Sequence, residues 1–555
     1  MDKLFLLLMI AIIVVIILGY GFYNSHKQWM YIKKMVKDAF GKPCKREYKE
    51  GEYRHIAGYN CNHSTDYSID DITWNDLDMD SVFMDMNYCQ SSAGDEYLYY
   101  MLRNPDLGKK DWGNFEKKCS YYAKNADRRL DISLALYKCG RTGKYSIYDY
   151  LNNLDTIADK NFNKDVWLLL LYAAAAVVAI FKFEIGIVAL VILLVYGGVT
   201  YFSTKKDIEP YITSFAYVFR VINGASVICA VDDPVIEAEQ SRLKELKKRM
   251  AGFARFSYLI MSPNSGTGNI LEIILDYIRI FFHIDIIKFF QMRNEITKHW
   301  DDIDEMLTIM GEIDATVAIA SYREYIGNWC QPEFEDGGII AKEIYHPLLK
   351  SPVTNDISLK RGIILTGSNA SGKSTMLKTI AVSAILAQGV HTVPAAFYKA
   401  PAYRIYTSLA LNDDIFAGES YYMTEIKSLK RILDNSRNCD VPILACVDEV
   451  LRGTNTIERI SASSVIMEEL ASVNGIILTA THDRELAAML EDMYDNYHFE
   501  ETVSGNDISF AYKMEPGIAT TRNAIKLLEI VGYDKTLTDK ANAVARRYEQ
   551  TGSFV

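Results

Sequence analysis

Residues 362–374 read Gly-Ile-Ile-Leu-Thr-Gly-Ser-Asn-Ala-Ser-Gly-Lys-Ser. The apolar run 362–366 predicts a buried strand. It feeds Gly367 to Ser374, which satisfies G-x-x-x-x-G-K-[ST], and residues 375–386 predict a helix. Strand, glycine loop and helix start are the context in which that spacing binds phosphate. The glycines let backbone N–H groups converge on phosphate oxygens, and the helix start favours an anion. Gly367, Asn369, Gly372, Lys373, Ser374 and Thr375 are therefore the candidate phosphate-binding set. Lys373 is expected to reach the β- and γ-phosphates, and Ser374 to offer its hydroxyl to Mg²⁺. An α/β P-loop fold with ATP and Mg²⁺ follows.

Two further strands lie downstream. Residues 443–447 run into Asp448-Glu449, and residues 476–480 run into Thr481-His482-Asp483. A carboxylate at a strand's C-terminal end can hold Mg²⁺, here Asp448. Its neighbour Glu449 can polarise the attacking water. A surface acidic pair is the alternative, but the apolar run before it argues for the edge of a core sheet. His482 follows a core strand on the same edge, which suits a γ-phosphate contact; a structural His is the other reading.

The rest of the composition sets limits. The chain has 555 residues, 49% hydrophobic and 24% charged. That is enough for about three or four domains of roughly 100–200 residues each. Its net charge of −11 excludes nucleic-acid binding through bulk positive charge, while leaving room for a local basic groove. Nine cysteines form no C-x-x-C and are odd in number, so free thiols fit better than a disulfide framework or a zinc site.

Apolar runs predict membrane segments. Residues 4–20, LFLLLMIAIIVVIILGY, carry no charge and are followed by no A-x-A-like site. They fit an uncleaved anchor better than a signal peptide. Residues 166–181 and 185–202 are two more uncharged runs, separated by Lys182-Phe183-Glu184. They predict a hairpin of two spans, with a buried core hairpin as the alternative. Lys27, Lys33, Lys34 and Lys37, then Lys160 and Lys164, then Lys205 and Lys206 flank the spans. The positive-inside rule puts all of them in the cytoplasm. The expectation is a multi-pass cell-membrane protein with three spans and a cytoplasmic ATPase domain. Residues 270–290 are apolar but carry Glu272, Asp276, Arg279, His283 and Lys288 as a polar stripe, which predicts an amphipathic helix. Residues 237–255 also read as helix. Asp76, Asp78 and Asp80 lack the Gly and Glu of a calcium loop and read as a solvated face or turn.

What lies between the strands narrows the family. Residues 412–425, NDDIFAGESYYMTE, resemble the DDL-x-x-G-x-S-T-F-M-x-E segment of the MutS family. Residues 448–456, DEVLRGTNT, are similar to its DE-x-G-RGT-S-T run. Thr479–His482 resembles its FATH element, residues 389–395 its G-x-x-VPA segment, and His346-Pro347 the HP ahead of its P-loop. More weakly, residues 313–320 resemble the helix leading into that ATPase, and residues 90–105 the opening of its core domain. The chain departs from the family in having no room for the mismatch-reading domain. Ser368 stands where Pro is usual, and Pro352-Val353 where an adenine-stacking aromatic is expected.

The resemblance implies a membrane-anchored MutS-like ATPase that binds and hydrolyses ATP at a site shared between two chains. The domains are then 1–25 anchor, 26–164 first helical part, 165–204 hairpin, 205–335 helical core and levers, and 336–555 ATPase. Ser420 would complete the partner's site, with a helix cap as its plain alternative. Asn455 would lie across the same seam, and Tyr512 would offer a stacking face for adenine. A homodimer, the lipid bilayer and DNA are the candidate partners. The alternative is a membrane signalling or assembly ATPase acting on a protein partner.

Overall fold

The computed structural model describes residues 3–44, 46–48, 53, 56–63, 65–142, 146–151, 163–250, 277–284, 286–287, 295–368, 371–409, 421–437, 440–451, 454–504, 507–519 and 524–551. They form two compact units. One comprises Met1–His63, Met86–Tyr100 and Gly113–Tyr325; the other comprises Ser64–Asp85, Met101–Trp112 and Ile326–Val555.

The first unit is helical among its described residues. Its spine is the helix Trp300–Ile326, which buries Ile303, Met306, Leu307, Met310, Ile313 and Val317 at three- and four-residue spacing. Asp314 sits on this spine and accepts hydrogen bonds from Gln90 N at 3.0 Å and from Ser91 N and Oγ at 2.8 and 2.6 Å. These bonds satisfy donors at the start of the helix Ser92–Arg103. Burial outweighs them and pushes the Asp314 pKa up to about 6. Lys118 is buried between Glu239 at 2.5 Å and Glu312 at 2.9 Å.

The N-terminal helix Lys3–Ala39 is continuous; the side chains of residues 4–18, most of the expected anchor, lie outside the described set. Its C-terminal half packs Trp29, Ile32 and Val36 on Leu130, Leu134 and Tyr137. The expected apolar hairpin is helical. Asn163–Phe181 turns at Lys182 into Phe183–Ile228, a 46-residue helix that runs well beyond the apolar stretch. Tyr172 donates to Leu193 O at 2.8 Å across the hairpin. Gly186 approaches Ala179 so closely that a Cβ there would lie 2.2 Å from backbone.

Of the amphipathic stretch 270–290, residues 277–284, 286 and 287 are described. Residues 277–282 are helical, and Arg279 and His283 of the polar stripe are buried. His283 lies 2.6 Å from Asp165 Oδ1 and 2.8 Å from Gly197 O. A polar side chain can turn inward when acceptors wait for it.

The second unit is mixed α/β. Its strands are β1 Glu333–Phe334, β2 Ile339–Ile344, β3 Asn355–Leu359, β4 Ile363–Thr366, β5 Phe397–Ala400, β6 Arg404–Ser408, β7 Ile443–Asp448, β8 Gly475–Ala480, β9 Asp495–Ser504 and β10 Asp507–Pro516. A small sheet runs β1-β5-β2-β3. The main sheet runs β10-β9-β4-β8-β7-β6, parallel from β9 to β6 with β10 antiparallel at one edge. The parallel strands are almost continuously apolar, as strands covered on both faces are. The helix Lys373–Val390 packs across β6, β7 and β8.

This unit takes in residues 64–85 and 101–112, ahead of the boundary at 336 that the sequence suggested. The reason is the edge strand β6. Tyr67 donates its hydroxyl to Ile405 O at 3.0 Å. Thr73 Oγ1 accepts from Thr407 N at 3.2 Å. Asp76 Oδ2 accepts from Thr407 Oγ1 at 2.7 Å and from Leu409 N at 2.9 Å. Side chains thus occupy the open backbone groups of an edge strand. Asp76 is buried and bonded, not part of a solvated face as its sequence context suggested. Asp78 does occupy a turn, with φ of 52°.

Asp76→Ala leaves two buried donors without an acceptor and is expected to cost about 2–4 kcal/mol, read as a lower urea midpoint. Asp76→Asn keeps one acceptor oxygen and should cost less. A loss below about 0.5 kcal/mol in Asp76→Ala would show that β6 is held by other contacts.

Candidate functional site: the nucleotide pocket

At the end of β4 the chain enters the glycine loop. Gly367 has φ of 146° and Gly372 φ of 110°, both strained for a side chain. A Cβ on Gly372 would lie 3.2 Å from the Tyr512 ring. Lys373 is buried and donates to the carbonyls of Gly367 and Ser368 at 2.9 and 2.8 Å. Ser374 Oγ donates to Asp448 Oδ2 at 2.5 Å.

Beyond Asp448 the backbone is strained. Glu449 and Leu451 take φ of 57° and 59°, unusual for side-chain-bearing residues. Glu449 N donates to Ala480 O at 2.8 Å, and Leu451 N donates to the buried carboxylate of Glu425. Glu449 Oε1 lies 3.0 Å from His482 Nε2. Arg459 grips the next residue, Asp483, with two bonds of 3.0 and 2.7 Å, and so steadies the turn that carries His482.

Gly372, Lys373, Ser374, Asp448, Glu449 and Tyr512 border a pocket of about 540 Å³, a volume suited to a nucleotide, whereas Gly367 and His482 are not among its lining residues. Phosphate-side groups at one end are Ser371, Lys373, Ser374, Thr375, Asp448 and Glu449. The other end is more apolar, with Leu349, Val353, Phe499 and Tyr512. Asn355 fixes the Tyr512 backbone: its Nδ2 donates to Tyr512 O at 3.0 Å, and its Oδ1 accepts from Met514 N at 2.9 Å. This pinning falls where the β9–β10 register shifts, between Phe510 and Met514.

The residues present fit Mg²⁺–ATP. Ser371 Oγ is buried with no hydrogen-bond partner among the described residues, so a donor hydroxyl lies ready for an anionic oxygen. Lys373 supplies a buried cation. Ser374 and Asp448 supply one hydroxyl and one carboxylate, the sparse oxygen set that Mg²⁺ takes when phosphates and waters complete its shell.

Asn369 and Ser420 lie outside the described residues. Asn455 caps its own helix, Thr456–Ala471, by accepting from Glu458 N at 3.0 Å, and does not line this pocket. Glu425 and Arg459 escaped the sequence reading as positioning residues, because their partners lie 26 and 24 residues away with no fixed spacing. Glu501, which accepts from the Ser368 hydroxyl, had no local signal either.

The doubly wound sheet, the glycine loop and the acidic strand end together define a P-loop domain of the ATPase type. Residues 363–549 match the family model described as MutS domain V. The chain is 28% identical over 266 residues to the DNA mismatch repair protein MutS of Natronomonas pharaonis, covering 46% of this chain and 31% of that protein. It is 31% identical over 264 residues to MutS protein homolog 4 of Mus musculus, covering 44% of this chain and 27% of that protein. A similar match, 31% identical over 282 residues, is to the DNA mismatch repair protein MutS of Microcystis aeruginosa. The C-terminal region is thus of the MutS domain V type. The matched stretch spans about a third of each of those relatives.

His346 gives the pocket a pH signature. Burial, aided by the Lys378 cation and opposed by Asp78, pushes its pKa down to about 4. Above pH 6.5 the ring is neutral whether the chain is folded or unfolded. Below it the unfolded chain binds a proton that the folded chain refuses, so stability falls until about pH 4. The loss is at most about 3 kcal/mol. Urea midpoints should therefore fall less between pH 6.5 and 4 in His346→Gln than in the parent. Parallel curves would remove His346 as the cause.

Proposed function

We propose that this chain is an ATP hydrolase that works as a MutS-type dimer, with nucleotide-driven closure passed to its helical unit. The observation that carries it is the meeting of Ser374 with Asp448 at 2.5 Å on one pocket, with His482 standing 3.0 Å from the pocket residue Glu449. Lys373 binds the phosphate charge, and Glu449 orients and polarises the attacking water with His482 at its side. Ser374 and Asp448 would hold Mg²⁺, which when bound would supply charge stabilisation to the transferring phosphoryl group. Tyr512 stacks on the base. Ser420 and Asn455 face the partner chain, as the family resemblance implies. DNA is the proposed ligand of the helical unit, supported by the names of the relatives, which are DNA mismatch repair proteins.

Membrane attachment is a further part of this reading. The segments Lys164–Phe181 and Phe183–Lys205 are long and apolar enough to cross a bilayer, and each is only 17% buried. Ile180, Phe181 and Phe183 are exposed at the hairpin tip. An apolar surface of that size suits lipid contact. The N-terminal helix adds exposed Tyr20, Phe22 and Tyr23 after its apolar run, the kind of aromatic belt that sits at an interface.

Lys373→Ala is expected to abolish tight ATP binding. Glu449→Ala should retain binding while turnover drops at least about 100-fold. Equal turnover in Glu449→Ala and the parent would remove Glu449 from the chemistry. In the same assay, a rate that shifts when duplex DNA is added supports coupling to DNA. An unchanged rate with no salt-dependent retention of DNA sinks it.

A cysteine placed at Phe183 should react with an impermeant thiol reagent on intact cells, while Cys44 stays silent. Labelling of Cys44 beside silence at position 183 would invert the orientation. Recovery of the full chain in the soluble fraction without detergent would end the membrane reading.

A further inference from the structure

The helical unit carries a cavity of its own, about 590 Å³, at the foot of the N-terminal helix. The foot is held in place. Val36 seats the helix on Leu130 and Leu134, Gly41 N donates to Ser321 Oγ at 3.0 Å, and Tyr88 donates its hydroxyl to Lys42 O at 2.5 Å. The cavity is therefore preformed.

Its wall is cationic. Lys37, Lys42, Arg46, Arg129 and Arg141 line it, and Asp38 is the acidic residue among the described lining. Behind the wall, Asp95 pairs with Arg46 at 2.6 Å and Arg141 at 3.1 Å, and Glu324 lies near Arg129. Asp314 adds a fourth carboxylate behind Gln90, so five cations face four carboxylates among the described residues and the wall stays net positive. The wall is also apolar. Arg129 stacks its guanidinium on Phe40, 3.4 Å from the ring centroid, and is held there by donating to Tyr122 O at 2.5 Å. Leu130 and Val317 continue that surface.

An inorganic anion would leave the apolar wall uncovered, and a hydrocarbon would leave the surplus charge unanswered. We propose that this cavity binds a soluble organic phosphate, an anionic head on an aromatic or aliphatic body. A lipid has the same chemistry, but the helix sets its distance. The apolar run ends at Tyr20, and the cavity begins at Met35, fifteen residues on. At ~1.5 Å per residue that is about 22 Å along the helix. A headgroup layer extends only about 5–8 Å beyond the hydrocarbon.

The test uses the full chain in uncharged detergent, with the nucleotide pocket saturated by Mg²⁺ and a non-hydrolysable ATP analogue. The probes are 1-naphthyl phosphate, 1-naphthol and inorganic phosphate. Binding is read by calorimetry and by protection of Cys44, a lining thiol, from maleimide, with exposed Cys61 as the reference. Naphthyl phosphate is expected to bind once per chain, at least about tenfold tighter than either partial probe, and to slow Cys44 labelling. Lys42→Glu, an exposed change that leaves the fold intact, should weaken binding at least about tenfold and leave ATP turnover unchanged. Arg129→Gln should do the same, provided its melting midpoint matches the parent. No protection of Cys44 at millimolar naphthyl phosphate, or equal binding by Lys42→Glu, overturns the proposal. Protection by phosphatidylglycerol vesicles without protection by naphthyl phosphate overturns the soluble source and assigns the cavity to lipid.

Discussion

The nucleotide pocket depends on one strand being where it is. β8 lies between β4 and β7, hydrogen-bonded in parallel register to both. Thr481 N donates to Leu365 O at 3.0 Å, and Glu449 N donates to Ala480 O at 2.8 Å. These two bonds bring the C-terminal ends of three strands level. The glycine loop, Asp448-Glu449 and His482 then share one edge, and Ser374 can reach Asp448 across 74 residues of sequence. In an open parallel sheet that edge is where ligands collect, because helix starts and loop N–H groups face it.

The same edge stores strain. Glu449 and Leu451 hold positive φ without being glycine. Glu425 is buried and receives the Leu451 N–H, while Arg459 holds Asp483 on the neighbouring loop. Both contacts come from helices that follow the strands, Tyr421–Ser436 and Thr456–Ala471. Each helix thus fixes a loop that the sheet alone would leave loose. A shift of either helix would reorient Glu449 or His482.

At the far side of the sheet the problem is different. β6 is an edge strand, and its outward backbone groups need partners. Tyr67, Thr73 and Asp76 supply them as side-chain atoms. In the helical unit, Asp314 does the equivalent for the start of Ser92–Arg103, at the cost of a buried carboxylate. Both are cases of the rule that buried backbone donors find acceptors, and both tie segments that are remote in sequence.

The sequence by itself determined the elements of the pocket. The loop spacing, the strand ends at Asp448-Glu449 and His482, and the helix after Lys373 are local patterns, because each follows from periodicity or from the φ that glycine permits. The apolar hairpin was legible for the same reason, as two uncharged runs around Lys182. What tertiary structure decided was every contact without a fixed spacing. It brought Tyr67, Thr73 and Asp76 onto β6, buried Asp76 that reads as solvated, turned His283 inward toward Asp165 and Gly197, and gave Glu425 and Glu501 their partners. A polar side chain carries no local sign of whether water or a distant backbone donor will receive it. That choice is made by which surfaces meet when the chain compacts.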